Sequence, residues 1–207
     1  MAKRNATSGL ARQAASTADP AAADPAAAAP PGAAARPRPS AASAAPDAPP
    51  EGCRTVLALD LGTLTGWALA RGGAVLGSGT QAFRLGFYDA HGTPYWRFMR
   101  WLTELDEAHD RIDTVVYEAV FAHKGSLAAH KYGAFEGLLL CWCAARDLSV
   151  EGIPVGRIKK HATGFGFARK DAVLKAIRAR GFTPTDDNEA DALALLFYAL
   201  KDEGPQP

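Results

Sequence analysis

The chain has 207 residues and a formal net charge of +1, so its overall charge points to no partner, nucleic acid included. Residues 1–50 hold 21 Ala and 9 Pro without apolar periodicity, too little to offset the entropy of ordering, so residues 1–51 read as a disordered tail. Residues 52–203 have the length of one domain with its own core, followed by a short C-terminal tail at 204–207.

No leucine-type apolar stretch follows the basic start, which excludes a secretory signal, and no apolar run has the length of a membrane span. Arg4, Arg12, Arg36 and Arg38 invite a transit-peptide reading, against which Asp19, Asp24 and Asp47 argue. Cys53, Cys141 and Cys143 give no disulfide framework, and a Cys-x-Cys pair on a helix points its thiols apart. The expectation is a soluble, intracellular protein in a reducing compartment.

In chain order, Thr55-Val-Leu-Ala-Leu-Asp-Leu61 is a short β-rich run stopped by Gly62, and reads as a buried strand. Residues 62–66 form a tight connection, 67–70 a second strand, and 74–83 a third after Arg71-Gly-Gly73, giving an antiparallel meander. Pro94 opens a helix to about His109, with Trp96, Met99, Leu102 and Leu105 as its apolar face. Asp113 to Glu118 is a fourth strand, 126–146 a long helix, and 148–155 a fifth strand. A basic, glycine-rich loop then leads to a helix over 168–180, and a last helix runs from about Asp186 to Asp202. The order βββαβαβαα predicts an α/β fold with a five-stranded mixed sheet and helices on both faces.

Three acids in this pattern call for a reason. Asp60 and Glu118 end two apolar strands, and Asp191 interrupts the apolar helix pattern Ala190-Asp-Ala-Leu-Ala-Leu-Leu196. A buried ionised carboxylate is costly unless it is hydrogen-bonded, paired or bound to a cation. No basic residue lies three or four positions from Asp191 on its helix, so a local ion pair does not account for it. Oxygen ligands select hard cations, and three converging acids suit a two-metal phosphodiester hydrolase. Taken singly, each acid has an ordinary reading: Asp60 as a turn cap, Glu118 as a solvated strand end, Asp191 on a wet helix face. Between Arg157 and Arg180 lie eight Lys or Arg against one acid, Asp171, a local patch of the kind a phosphate backbone requires. Gly164 and Gly166 within it allow close approach of backbone amides to phosphate.

These residues together resemble the RuvC-type Holliday junction resolvases of the ribonuclease H-like superfamily, the compact phage-type members above all. The resemblance covers residues 55–202. It rests on Leu59-Asp-Leu-Gly-Thr63, Glu118-Ala-Val-Phe121 and Lys131-Tyr-Gly-Ala-Phe-Glu-Gly137. The stretch Lys159 through Gly164, Gly166, Ala168 and Lys170 and the signature Ala190-Asp-Ala-Leu-Ala194 complete it. It implies a ribonuclease H-like fold and a metal-dependent endodeoxyribonuclease that nicks four-way junctions in recombination and repair. Asp60, Glu118 and Asp191 would be catalytic, holding two Mg²⁺, with Mn²⁺ as substitute. Lys159, Lys160, Arg169, Lys170, Gly164 and Gly166 would face DNA, and Phe121 would stack on bases at the crossover, unless it is a core phenylalanine. It further implies a bacterial or phage-encoded, nucleoid-associated cytoplasmic protein without a nucleotide cofactor.

The chain departs from the family at Asn188, three residues before Asp191, where the family carries Asp or His. Asp187 lies on the same face and would replace the missing charge, or else cap the helix with Asp186. A homodimer is expected, because resolution needs two symmetric nicks and the 126–146 helix carries Leu138, Leu139, Leu140 and Trp142. The rival readings are a ribonuclease H-type hydrolase of RNA–DNA hybrids, a catalytically weak junction-binding module, and an ATPase fragment of the actin-like or sugar-kinase-like class. The last needs two such domains and a second glycine-rich motif, for which this chain has no room.

Overall fold

The computed structural model describes residues 54–122 and 125–201. The proposed tails, Cys53 and the domain limits at 52 and 203 lie outside the described residues. Ten elements follow in order: β1 (Thr55–Asp60), β2 (Leu64–Arg71), β3 (Ala74–Ala82), α1 (Thr93–Ala108), β4 (Thr114–Ala119), α2 (Ser126–Ala144), β5 (Ser149–Pro154), α3 (Val155–Thr163), α4 (Lys170–Ala179) and α5 (Asp187–Leu200). The strands form one sheet in the order β3-β2-β1-β4-β5, antiparallel across β1–β2–β3 and parallel across β1–β4–β5.

Strand side chains alternate between faces, and the two apolar clusters follow that alternation. Leu57, Leu59, Trp67, Leu69, Val115 and Tyr117 point to the α1/α2 face, where Phe98, Leu102, Phe135, Leu139 and Trp142 cover them. Val56, Ala58, Ala68, Ala70 and Val116 point to the opposite face, under Ile158 of α3, Val173 and Ile177 of α4 and a run of α5 residues. On α5, Ala190 and Ala192 through Phe197 are all buried, so this helix is apolar nearly all round and lies deep in the layer. Each buried leucine there contributes about 2 kcal/mol of transfer free energy. No helix among the described residues is long and apolar enough to cross a membrane.

Three local expectations are corrected. The basic stretch after β5 is not a loop throughout: Pro154, extended at φ −59, ψ 133, launches α3, and the loop narrows to 164–169. The helix is short and shows one fully buried apolar residue, Ile158, which leaves little periodicity to detect. On α1 the buried face holds Pro94, Phe98, Leu102 and Leu105, whereas Trp96 is exposed beneath Arg100, 4.8 Å from the ring centre. Residues 62–66 are not all turn: β2 begins at Leu64, and Thr65 and Gly66 already pair with β3. Cys141 is exposed and Cys143 buried, as their spacing on a helix requires, and burial raises the Cys143 thiol to about 11.

Candidate active site

Asp60 is the last residue of β1 and Glu118 the last but one of β4. The two strands are parallel neighbours with Leu59 opposite Tyr117, so Asp60 and Glu118 stand side by side one step further on, with strand axes roughly 5 Å apart. Alternation sends both carboxylates to the α5 face, since Leu59 and Tyr117 point the other way. The chain beyond each acid is pinned. Thr65, fully buried, donates its hydroxyl to the Gly62 carbonyl at 2.7 Å and holds the turn after Asp60. Tyr132 of α2 donates to the carbonyl of Glu118 at 2.9 Å and accepts from the Val120 amide at 3.2 Å.

The third acid arrives on α5. The antiparallel partner of Asp60 is Gly66, and a Cβ built at Gly66 would lie 1.9 Å from the carbonyl oxygen of Asn188 and 2.4 Å from its carbon. The first turn of α5 therefore rests directly on the β2 backbone, in space that only glycine leaves open. Asp191 follows one turn later, half-buried between the buried Ala190 and Ala192. The N-terminus of α5 is fixed from outside the site. Asp186 is the N-cap, accepting from the Glu189 amide at 2.9 Å and from the Thr80 hydroxyl at 2.6 Å. The buried Glu189 carboxylate accepts from Ser78 Oγ at 2.7 Å and from the Thr185 amide and hydroxyl at 2.7 and 2.8 Å.

Glu189 is the useful contrast. It is buried and satisfied by three donors, whereas Asp60, Glu118 and Asp191 have no hydrogen bond or ion pair among the described residues. Burial raises Asp60 well above the ordinary carboxylate range, reinforced by the charges of Glu118 and Asp191 and opposed by Lys170. Burial and then Asp191 lift Glu118 from 4.5 to about 7, against Lys159 and Lys170. Burial also raises Asp191, again against Lys170 and Lys159. Three mutually repelling, desolvated carboxylates facing two ammonium groups form a site that favours added positive charge.

The donor set, all hard oxygen, fits Mg²⁺ or Mn²⁺. The spacing is open: among the described residues no group of three or more His, Cys, Asp or Glu is set to hold an ion as it stands. Closing on a cation would require these side chains to draw together. Asn188 sits on the same helix face, half-buried, one turn before Asp191. Asp187 is half-exposed and turned to Lys170, with Nζ and Oδ2 3.5 Å apart. Capping is carried by Asp186.

Of the basic stretch, the structure brings Lys159 and Lys170 to the acids and sends Arg180 elsewhere, over the Phe197 ring at 5.2 Å. Lys160, on α3, and Arg169, the last residue of the 164–169 loop, are exposed. Gly164 ends α3 in the left-handed region at φ 79, with its amide bonded to Lys160 O at 2.8 Å. A Cβ at Gly166 would meet Gly156 O at 3.1 Å, so this loop folds back on the start of α3. Phe121, three residues after Glu118, is 84% exposed and is no core residue. Sequence reasoning passed over Phe165 and Phe167, exposed in the same loop, and Tyr132, which holds the strand end behind Glu118. A cavity of about 760 Å³ opens at the other end of the sheet, among Arg54, Thr114, His161 and Tyr198.

The β-meander followed by parallel β-α units, with acids at the ends of β1 and β4 and on the last helix, can be set beside known proteins. The RuvC of Thermus thermophilus, solved in complex with Holliday junction substrate, superposes with a TM-score of 0.61 at 22% identity, covering 73% of this chain and 98% of that one. The fold is that of RuvC. The yeast mitochondrial Holliday junction resolvase Ydc2 shares it at a TM-score of 0.54 and 10% identity, over 72% of this chain and 78% of the other. Among curated sequences, the crossover junction endodeoxyribonuclease RuvC of Rickettsia akari is 29% identical over 85 residues, 39% of this chain and 53% of that protein. The RuvC of Dictyoglomus thermophilum is 32% identical over 96 residues, 44% of this chain and 61% of that protein. The chain spans about half the length of the curated RuvC relatives it matches. No protein-family model matches it.

Proposed function

We propose that this chain is a metal-dependent endodeoxyribonuclease that nicks branched DNA, four-way junctions in particular, with Asp60, Glu118 and Asp191 as its catalytic carboxylates. The observation that carries the reading is the desolvated acid trio from β1, β4 and α5 under the field of Lys159 and Lys170. Divalent cations bound there, Mg²⁺ or Mn²⁺, supply Lewis acidity and charge neutralisation for an in-line displacement at phosphorus. The chain's own residues do the rest. Asp60 and Glu118, fixed by the register of β1 and β4, hold the negative wall of the site, and Asp191 completes it from above, with Asn188 beside it. Lys159 and Lys170 offset phosphate charge as DNA enters, and Lys160, Arg169 and the loop glycines 164 and 166 extend the contact along the backbone. Phe121 offers an exposed ring beside the site for stacking against bases at the crossover.

Two such sites related by a two-fold axis would cut both strands of a junction, so we include a homodimer in this reading. The apolar argument for it is narrower than the sequence suggests. Leu139 and Trp142 are core residues and Leu138 packs against them, leaving Leu140 and Leu127 as the exposed leucines of α2.

The open spacing of the acids favours one alternative, a module that binds junctions without cutting them. A cleavage and binding assay on four-way, three-way and linear duplex DNA and on RNA–DNA hybrid, with Mg²⁺, Mn²⁺ or chelator, separates the readings. Cation-dependent nicking of four-way DNA is expected. Binding without nicking in either cation would establish the non-cutting module, and preferred cleavage of the hybrid would establish a ribonuclease H-type activity.

A further inference from the structure

Phe165 and Phe167 are 62% and 88% exposed, and their rings meet edge-on with centroids 5.9 Å apart at 60°. Two adjacent phenylalanines left in water forgo about 2 kcal/mol each that burial would contribute, so folding does not explain them. Nor are they on a slack segment. Thr163 Oγ1 donates to Lys159 O at 2.8 Å and accepts from the Phe165 amide at 3.2 Å. The Ala168 amide closes a turn on Phe165 O at 3.1 Å, and the Ala168 side chain is buried. The loop is thus anchored at both ends while its two rings point outward.

Its surroundings identify the occupant. From Lys159 to Lys170 the chain carries four cations and no acid. Two of them, Lys159 and Lys170, face the acid site. Protein-docking patches are depleted in lysine at their centres, whereas aromatic rings set among cations are the arrangement that binds unpaired nucleic acid, bases on the rings and phosphates on the charges. Phe167 lies three residues from Lys170, at most about 11 Å along the chain. At about 3.4 Å per base step, that is roughly three nucleotides.

We propose that Phe165 and Phe167 form a stacking platform for unpaired DNA bases, within about three nucleotides of a phosphate held by Lys170, so that the chain reads strand segments splayed out of the duplex beside the acid site. The platform rests on the DNA reading of the acid site, and it is separate from Phe121, which follows β4 instead of α3.

The test uses the full chain, a short single-stranded oligonucleotide carrying 2-aminopurine, and four-way junctions with or without unpaired nucleotides at the branch. The wild type should change 2-aminopurine fluorescence on binding. Phe165→Ala/Phe167→Ala should abolish that change and weaken binding to the single strand and the gapped junction by roughly tenfold. Its melting temperature and the salt slope of its affinity should stay as in the wild type, because neither core nor phosphate contacts are removed. Phe165→Tyr/Phe167→Tyr should restore stacking, and Phe165→Leu/Phe167→Leu should not. Unchanged fluorescence and affinity in the double alanine variant would overturn the proposal, even if the wild type nicks junctions normally. So would a loss of self-association with no effect on DNA. Conversely, a wild type that stacks 2-aminopurine through these rings but never nicks a junction would keep the platform and remove the nuclease reading.

Discussion

Replacing Glu118 by glutamine is expected to stabilise the cation-free protein above neutral pH while abolishing cleavage. Burial and the neighbouring Asp191 raise the Glu118 carboxyl from 4.5 to about 7. A carboxyl with a higher pKa in the folded chain than in the unfolded one holds its proton better when folded. That contribution is fully present below pH 4.5 and disappears as the pH rises through about 7. Each pKa unit corresponds to about 1.4 kcal/mol, so by about pH 8 ionised Glu118 costs the native state up to roughly 3 kcal/mol. Glutamine has nearly the same shape and no charge. At about 3 °C per kcal/mol for a domain of this length, Glu118→Gln should melt up to about 10 °C above the wild type near pH 8. Near pH 5, where folded Glu118 keeps its proton, the gap should shrink to a degree or two. Thermal melts followed by circular dichroism in chelator, at both pH values, give the answer. Saturating Mg²⁺ should then narrow the gap near pH 8 by stabilising the wild type more than the mutant. A mutant that melts with the wild type at both pH values would refute the reasoning, because it would mean that Glu118 is solvated or satisfied in the native state.

Asp60→Asn and Asp191→Asn should each abolish nicking and leave junction binding largely intact, as gel-shift and cleavage assays on the same samples will show. Lys159→Ala and Lys170→Ala should weaken junction binding and flatten its salt dependence by about one ion each; an unchanged slope would place these lysines away from DNA. Gly66→Ala should destabilise the fold by roughly 3 kcal/mol or more, since its methyl would fall on the Asn188 carbonyl; a melt within a degree of wild type would mean that α5 can lift off β2 freely. Asp186→Ala should lower stability by about 1 kcal/mol through the lost N-cap. Asp187→Ala, which breaks only an exposed ion pair with Lys170, should leave melting unchanged; a raised Mg²⁺ requirement in that variant would make Asp187 part of the cation site.

Much of this was legible in the sequence, for physical reasons. Asp60 and Glu118 end runs of Val, Leu and Ala, and an acid in such a place calls for an explanation that local structure does not supply. Asp191 stood out on its helix for the same reason. What escaped detection depends on contacts between residues far apart in the chain. Gly66 looked like part of a turn, because nothing near it in sequence reveals that Asn188 will rest on it. Helix α3 was missed because its short, basic surface shows little apolar period and the glycines that follow it read as loop. On α1, Trp96 and Phe98 compete for the core, and periodicity alone did not decide which ring turns inward. Phe165 and Phe167 alternate with Gly164 and Gly166 in a stretch that reads as plain loop, and their exposure is visible only once the loop is anchored.

Helix α5 has one more consequence, for the order in which the acid site and the fold are completed. Asp60 and Glu118 belong to strands formed early in the sequence, but Asp191 reaches them on a helix that follows β5 by more than thirty residues. The same helix fills one face of the sheet with Ala190 and Ala192 through Phe197. A chain cut short before Asp187 therefore loses Asp191 together with seven buried apolar residues of one face of the sheet. Partial products of synthesis or proteolysis would lack both, so assembling the acid trio and completing the fold are one event.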